Sequence, residues 1–166
     1  MGLVLGHHHP PKLHTVAILD VYLPTGDFKK DKQTNIGTNR LTIEPAYGVT
    51  YLDGKYNFDV RMGYLINGKN SDTDYKSGDE FHLDYAAGLT YNDFTVGVGG
   101  YYQQQLKNDE VNGQEISNSK AKGFAIGPSI KYQKGPWFAT FKYQKELVAE
   151  NKTQGDAFWI KAVVPF

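Results

Sequence analysis

The sequence predicts an all-β fold, an antiparallel up-and-down transmembrane β-barrel with about eight strands. Three observations predict it. Side chains alternate between apolar and polar with period two, the alternating segments run to about ten residues, and the connections between them are alternately short and long. Successive side chains of a strand point to opposite faces, so each segment has one greasy face and one polar face. A tilted strand needs roughly 9–11 residues to cross a bilayer, whereas an ordinary soluble strand has about 5–6.

Residues 1–12 read as an N-terminal tail and 13–166 as the barrel domain. The first strand, about Leu13–Leu23, alternates less cleanly and carries Asp20 and Tyr22 on its polar side. In the second, Leu41, Ile43, Pro45, Tyr47, Val49 and Tyr51 oppose Thr42, Glu44, Ala46, Gly48 and Thr50. In the third, Tyr56, Phe58, Val60, Met62, Tyr64 and Ile66 oppose Asn57, Asp59, Arg61, Gly63 and Leu65. The fourth sets Phe81, Leu83, Tyr85, Ala87, Leu89 and Tyr91 against His82, Asp84, Ala86, Gly88 and Thr90. The fifth sets Phe94, Val96, Val98, Gly100 and Tyr102 against Thr95, Gly97, Gly99, Tyr101 and Gln103. The sixth sets Phe124, Ile126, Pro128, Ile130 and Tyr132 against Gly123, Ala125, Gly127, Ser129 and Lys131. The seventh sets Trp137, Ala139, Phe141 and Tyr143 against Phe138, Thr140, Lys142 and Gln144. The eighth sets Phe158, Ile160, Ala162, Val164 and Phe166 against Trp159, Lys161, Val163 and Pro165.

Asp53-Gly54, Asn92-Asp93 and Lys134-Gly135-Pro136 have the composition of tight hairpin turns. Residues 25–39, 67–79, 107–120 and about 149–155 are longer, polar and charged. Aromatic residues gather near the short turns, at Tyr51 and Tyr56, Tyr91 and Phe94, Tyr132 and Trp137. Short periplasmic turns, long extracellular loops and aromatic girdles form the plan of an outer-membrane barrel, with the C-terminus in the periplasm. The alternating last strand, with Phe158, Ile160, Val164 and a terminal Phe166, is similar to the signal read by the bacterial barrel-assembly machinery. The expected surroundings are therefore outer-membrane lipid, and the expected partner during biogenesis is that machinery. The alternative fold is a soluble barrel or sandwich with its apolar face inward, which alternation alone also permits.

Composition narrows the function. The formal net charge is zero, from 18 basic and 18 acidic residues, so nothing global points to nucleic acid. With no cysteine, neither a disulfide nor a thiolate metal site can form. No apolar run reaches the roughly 20 residues of a membrane helix, a test that barrels evade by alternation. Gly2–Gly6 is apolar but too short for a signal-peptide core, so the chain is expected to begin inside a longer barrel. Eight strands closed on themselves leave an interior just wide enough for side chains, which also favours a larger barrel.

Two segments carry a family resemblance. Leu23-Pro24-Thr25-Gly26-Asp27 closes the first strand, and Asn35-Ile36-Gly37-Thr38-Asn39-Arg40 leads into the strand with Glu44-Pro45. These resemble the bacterial outer-membrane family of meta-pathway of phenol degradation proteins, from about Val16 onward. The resemblance implies a barrel, further strands and a signal peptide ahead of this region, and help for small hydrophobic or aromatic compounds across the outer membrane.

The polar face holds the candidate site. Asp20, Glu44, Asp59, Arg61, His82, Asp84, Lys131, Lys142, Glu146 and Lys161 all fall on it. Mixed charges there read either as a network of ion pairs that fills the interior or as a constriction that selects permeants. His82 and Asp84 have the spacing of a base and its orienting partner, but no nucleophile or second carboxylate completes a catalytic set, and no enzyme activity is expected. His7-His8-His9 could ligate a metal, but in a tail it reads as an accident of sequence, and no metal or cofactor is expected. The charged stretch Asp27–Lys32 reads as a solvated loop whose lysines suit lipopolysaccharide phosphates. The function the family resemblance implies is a channel for small hydrophobic or aromatic compounds. The alternative is a structural or adhesive barrel with a plugged lumen.

Overall fold

The computed structural model describes residues 1–32 and 34–165. Nine strands form one sheet in which each pairs antiparallel with its sequence neighbours: β1 (Gly2–His9), β2 (Leu13–Tyr22), β3 (Thr42–Leu52), β4 (Tyr56–Asn67), β7 (Glu80–Tyr91), β8 (Phe94–Gln105), β11 (Lys122–Lys134), β12 (Trp137–Glu150) and β13 (Asp156–Val163). A small second sheet is built from β5 (Lys69–Asn70), β6 (Tyr75–Lys76), β9 (Glu110–Val111) and β10 (Gln114–Glu115). The described residues contain no helix.

The short turns are made by residues suited to them. Gly54, Asn92 and Gly135 take positive φ values of 85°, 51° and 58°, the left-handed region that glycine and asparagine tolerate. Asp53 Oδ1 also accepts the amides of Lys55 and Tyr56 at 3.0 and 2.6 Å, which closes the β3–β4 hairpin.

Three features depart from the sequence expectation. First, part of the tail expected over residues 1–12 is a strand. β1 pairs with β2 from Gly2↔Asp20 to His9↔Leu13. The Pro10-Pro11-Lys12 turn reverses the chain, and the apolar run Leu3-Val4-Leu5 suits a strand, but the three histidines obscure its alternation. Second, the loops expected over 67–79 and 107–120 contain β5, β6, β9 and β10, and the two loops pair with each other at Tyr75↔Val111 and Lys76↔Glu110. Third, β11 and β12 shift register between Phe124 and Ala125, so that Leu147 is the extra residue of a β-bulge. The last strand ends at Val163, which leaves Val164 just beyond it. Phe166, expected to close that strand, lies outside the described residues.

The sheet is inside-out relative to a soluble protein. Among the described residues the buried hydrophobic side chains are only Ala46 and Ala125, while Thr42, Glu44, Asn67, Asn70, Asp79 and Gln105 are buried. Phe58, Leu89, Val96, Trp137, Phe141 and Ile160 are exposed, the last at 82%. A soluble sandwich would bury these side chains against a second layer, so the apolar-inward alternative is not what the chain adopts. The polar face is concave: Val16 and Gly48 from β2 and β3 line the same 490 Å³ cavity as Lys142 and Trp159 from β12 and β13. Among the described residues β1 and β13 do not pair, so the sheet is curled but open, and these strands do not close a barrel by themselves.

Candidate functional site

The concave face is assembled by register. Across β2 to β7 the cross-strand partners are Asp20↔Glu44, Gly48↔Arg61, Thr50↔Asp59, Arg61↔Asp84 and Gly63↔His82. Across β8 to β13 they include Thr95↔Lys131, Ser129↔Lys142, Ala125↔Glu146, Thr140↔Lys161 and Lys142↔Trp159. Antiparallel partners share a face, so Asp20, Glu44, Asp59, Arg61, His82, Asp84, Lys131, Lys142, Glu146 and Lys161 all sit on one side.

Glu44 is the centre of the first cluster, with 5% of its side chain exposed. Its Oε2 accepts the Tyr22 hydroxyl at 2.7 Å, and its Oε1 accepts Arg61 Nη2 at 2.6 Å. His82 Nε2 stands 3.1 Å from the same Oε1. Asp84 is more distant, 3.9 Å from Arg61 Nη1 and 4.0 Å from His82 Nδ1. His82 is therefore drawn to Glu44 more closely than to Asp84, its expected partner. Gly63 makes this possible, because a Cβ there would fall on the His82 imidazole and within 3.0 Å of Glu44 Oε1. Asp59 is held separately by the Thr50 hydroxyl at 2.6 Å.

A second cluster forms where the sequence placed only Glu146. Its carboxylate accepts the Tyr101 hydroxyl, Lys152 Nζ at 2.7 Å and the Gly155 amide at 2.8 Å. Alternation puts Tyr101 on this face. Lys152 comes from the β12–β13 connection, where no periodic pattern could have revealed it. Lys131, Lys142 and Lys161 form a third group on β11, β12 and β13. Among the described residues none of the three has a carboxylate within ion-pair distance.

The residues expected to form an assembly signal lie elsewhere. Phe158 and Ile160 are on the opposite, apolar face at 69% and 82% exposure. The histidine run is spread over both faces of β1, and His8 Nδ1 lies 2.7 Å from His14 Nδ1 on β2.

At the long-loop end, Asp79 and Asp109 tie the connections together. Asp79 accepts the Asn67 amide at 3.1 Å and Lys107 Nζ at 2.5 Å. Asp109 accepts the Tyr75 hydroxyl at 2.6 Å, the Gly78 amide at 2.9 Å and Gln105 Nε2 at 2.6 Å. Burial and the bond to Asp109 push the Tyr75 hydroxyl up to about 12. Burial opposes ionisation of Asp79, but the hydrogen bonds from Lys107 and the Asn67 amide outweigh it and hold the carboxyl below its usual range. A depressed folded-state value stabilises the charged form, so the contribution is present at neutral pH and is lost as pH falls through that value. Proteolytic protection of residues 68–79 and 106–121 is therefore expected to decline below roughly pH 4. Asp79→Asn should bring the same loss at neutral pH. Unchanged protection in that variant would show that the carboxylate does not hold the loops.

An antiparallel up-and-down sheet, polar within its curve and apolar outside it, has the architecture of an outer-membrane channel barrel. It superposes on the crystal structure of an outer membrane channel from Pseudomonas putida F1 with a TM-score of 0.80 at 12% sequence identity. The match covers 98% of this chain and 66% of that one, so the chain spans less than two thirds of the channel's length. The chain belongs to the family described as "Putative MetA-pathway of phenol degradation", whose model matches residues 1–162. None of the curated proteins matches it.

Proposed function

We propose that the protein is an outer-membrane channel that passes small solutes along its polar concave face. The observation that carries this reading is the inverted distribution of side chains: exposed Phe58, Leu89, Val96, Trp137 and Ile160 outside, buried Glu44 and Asn67 inside. Lipid solvates the first set and water the second. In lipid the backbone groups of β1 and β13 must also be paired, so the working barrel closes over both edges. The short turns then face the periplasm and the small loop sheet faces outward. Phe158 and Ile160 of β13, followed in sequence by Val164 and Phe166, are the signal presented to the assembly machinery. The family's description supports aromatic solutes as cargo.

The second reading, a plugged structural barrel, draws on the Glu44 and Glu146 clusters, which occupy part of the concave face. Liposome swelling separates the two. Purified full-length protein is expected to migrate faster before boiling than after it, to show β-rich circular dichroism, and to admit phenol-sized solutes faster than empty liposomes. Swelling at the empty-liposome rate would favour the plug. A monomer soluble without detergent would remove both readings.

A further inference from the structure

The third group of the concave face has a chemistry of its own. Lys131 and Lys142 line a 350 Å³ cavity near the short-turn end, together with Thr95, Ser129 and Thr140. That volume lies in the range of small-molecule sites, roughly 300–1,000 Å³. Lys161 belongs to the same group: its Nζ lies 5.6 Å from the centre of the Phe138 ring, and Lys131 Nζ lies 4.9 Å from it. Phe138 thus lies between two ammonium groups, and Trp159 is the cross-strand partner of Lys142. Gly88 of β7 and Gly99 of β8 also line the cavity.

The charge lining this cavity is one-sided. Asp59 is the carboxylate lining the cavity, and it is already engaged by Thr50. The acidic residues Glu44 and Asp84 lie toward the long-loop end, with Arg61 and His82 beside them. Two ammonium groups in the lining, with Lys161 beside them, against one carboxylate leave a local positive excess, the arrangement by which basic side chains select anions in a pore. The ring of Phe138 and the indole of Trp159 add apolar surface beside those charges.

We propose that this part of the concave face is a subsite for small aromatic carboxylates. Lys131, Lys142 and Lys161 attract the carboxylate, Ser129 and Thr140 offer hydroxyl donors, and Phe138 and Trp159 contact the ring. The proposal rests on the channel reading and refines it: the favoured cargo carries a negative charge, and a neutral aromatic of the same size is the poorer ligand.

Planar-bilayer recording of the full-length protein tests it. Under a KCl gradient the reversal potential is expected to show a preference for chloride over potassium of about fivefold, the factor set by one unit charge at ~4 Å in water. Benzoate should reduce the chloride current, and benzyl alcohol at the same concentration should not. The triple variant K131Q/K142Q/K161Q should lose both the preference and the benzoate effect, and the corresponding arginine variant should keep the preference. If the triple variant loses heat-modifiable migration, K142Q alone serves, with a partial loss of both effects expected. Conductance without anion preference, or a preference that survives lysine replacement, would overturn the subsite while leaving the channel reading intact. Equal reduction of the current by benzoate and benzyl alcohol would overturn the carboxylate assignment. Absence of any conductance or solute flux would overturn the channel reading, and the subsite with it.

Discussion

Glu44→Ala is expected to destabilise the folded sheet by about 2–3 kcal/mol, the cost of stranding charged and hydrogen-bonding partners in a partly buried site. Glu44 accepts hydrogen bonds from Tyr22 and Arg61, and His82 stands against the same carboxylate. Its removal leaves the Arg61 guanidinium without its 2.6 Å partner and the His82 imidazole without the carboxylate it stands against. Arg61 keeps 36% of its side chain exposed, so water recovers part of the loss, and the expected cost lies below that of breaking a fully buried pair. Glu44→Gln keeps the shape and one acceptor oxygen and should cost less. Urea unfolding in detergent or lipid measures both variants. A Glu44→Ala midpoint equal to that of the wild type would show that the cluster is hydrated in both states and contributes nothing.

Gly127→Val is expected to be about as severe, roughly 3 kcal/mol or a failure to fold, at the upper end of what overpacking costs. A Cβ at Gly127 would fall on the Tyr143 carbonyl oxygen, 2.7 Å from its carbon and 3.0 Å from Gln144 Cα. These are backbone atoms of β12, so no side-chain rotation relieves the contact and the strands must separate. The position lies close to the β11–β12 bulge, where the ladder is already interrupted. Gly6→Ala is the control, because a Cβ there meets nothing within 4 Å and the position is an ordinary strand residue. Its expected effect is near zero, read from heat-modifiable migration and the unfolding midpoint. Equal behaviour of the two variants would argue against close packing at Gly127.

The strands from β2 to β13 in the main sheet were legible because each carries its own pattern. Tyr56 to Ile66 alternates whatever it pairs with, and Asp53-Gly54 and Asn92-Asp93 signal turns in the same way. β1 was not legible: Gly2–His9 holds three consecutive histidines, and its pairing with β2 is a non-local event that composition does not announce. The two-residue strands of the loops were hidden for the same reason, since Tyr75 and Val111 become partners only when two separate connections meet. In the candidate site, alternation placed Glu44, Arg61 and His82 on one face, yet spacing favoured His82 with Asp84, and the structure joins His82 to Glu44. Lys152 was invisible because a loop residue has no period to betray which carboxylate it reaches.

The sequence by itself therefore determined the two faces of each strand, the order of the hairpins and the difference between their ends. These follow from a side-chain period of two and from turn chemistry, both of which act over a few neighbouring residues. Only the tertiary structure decided against the apolar-inward alternative that alternation also permits, brought Tyr22, Arg61 and His82 to Glu44, and set Lys131 and Lys142 on a cavity with Asp59 as its carboxylate and Lys161 beside it. The physical reason is that each of these depends on register and curl across several strands, where a shift of one residue exchanges the faces and regroups every charge.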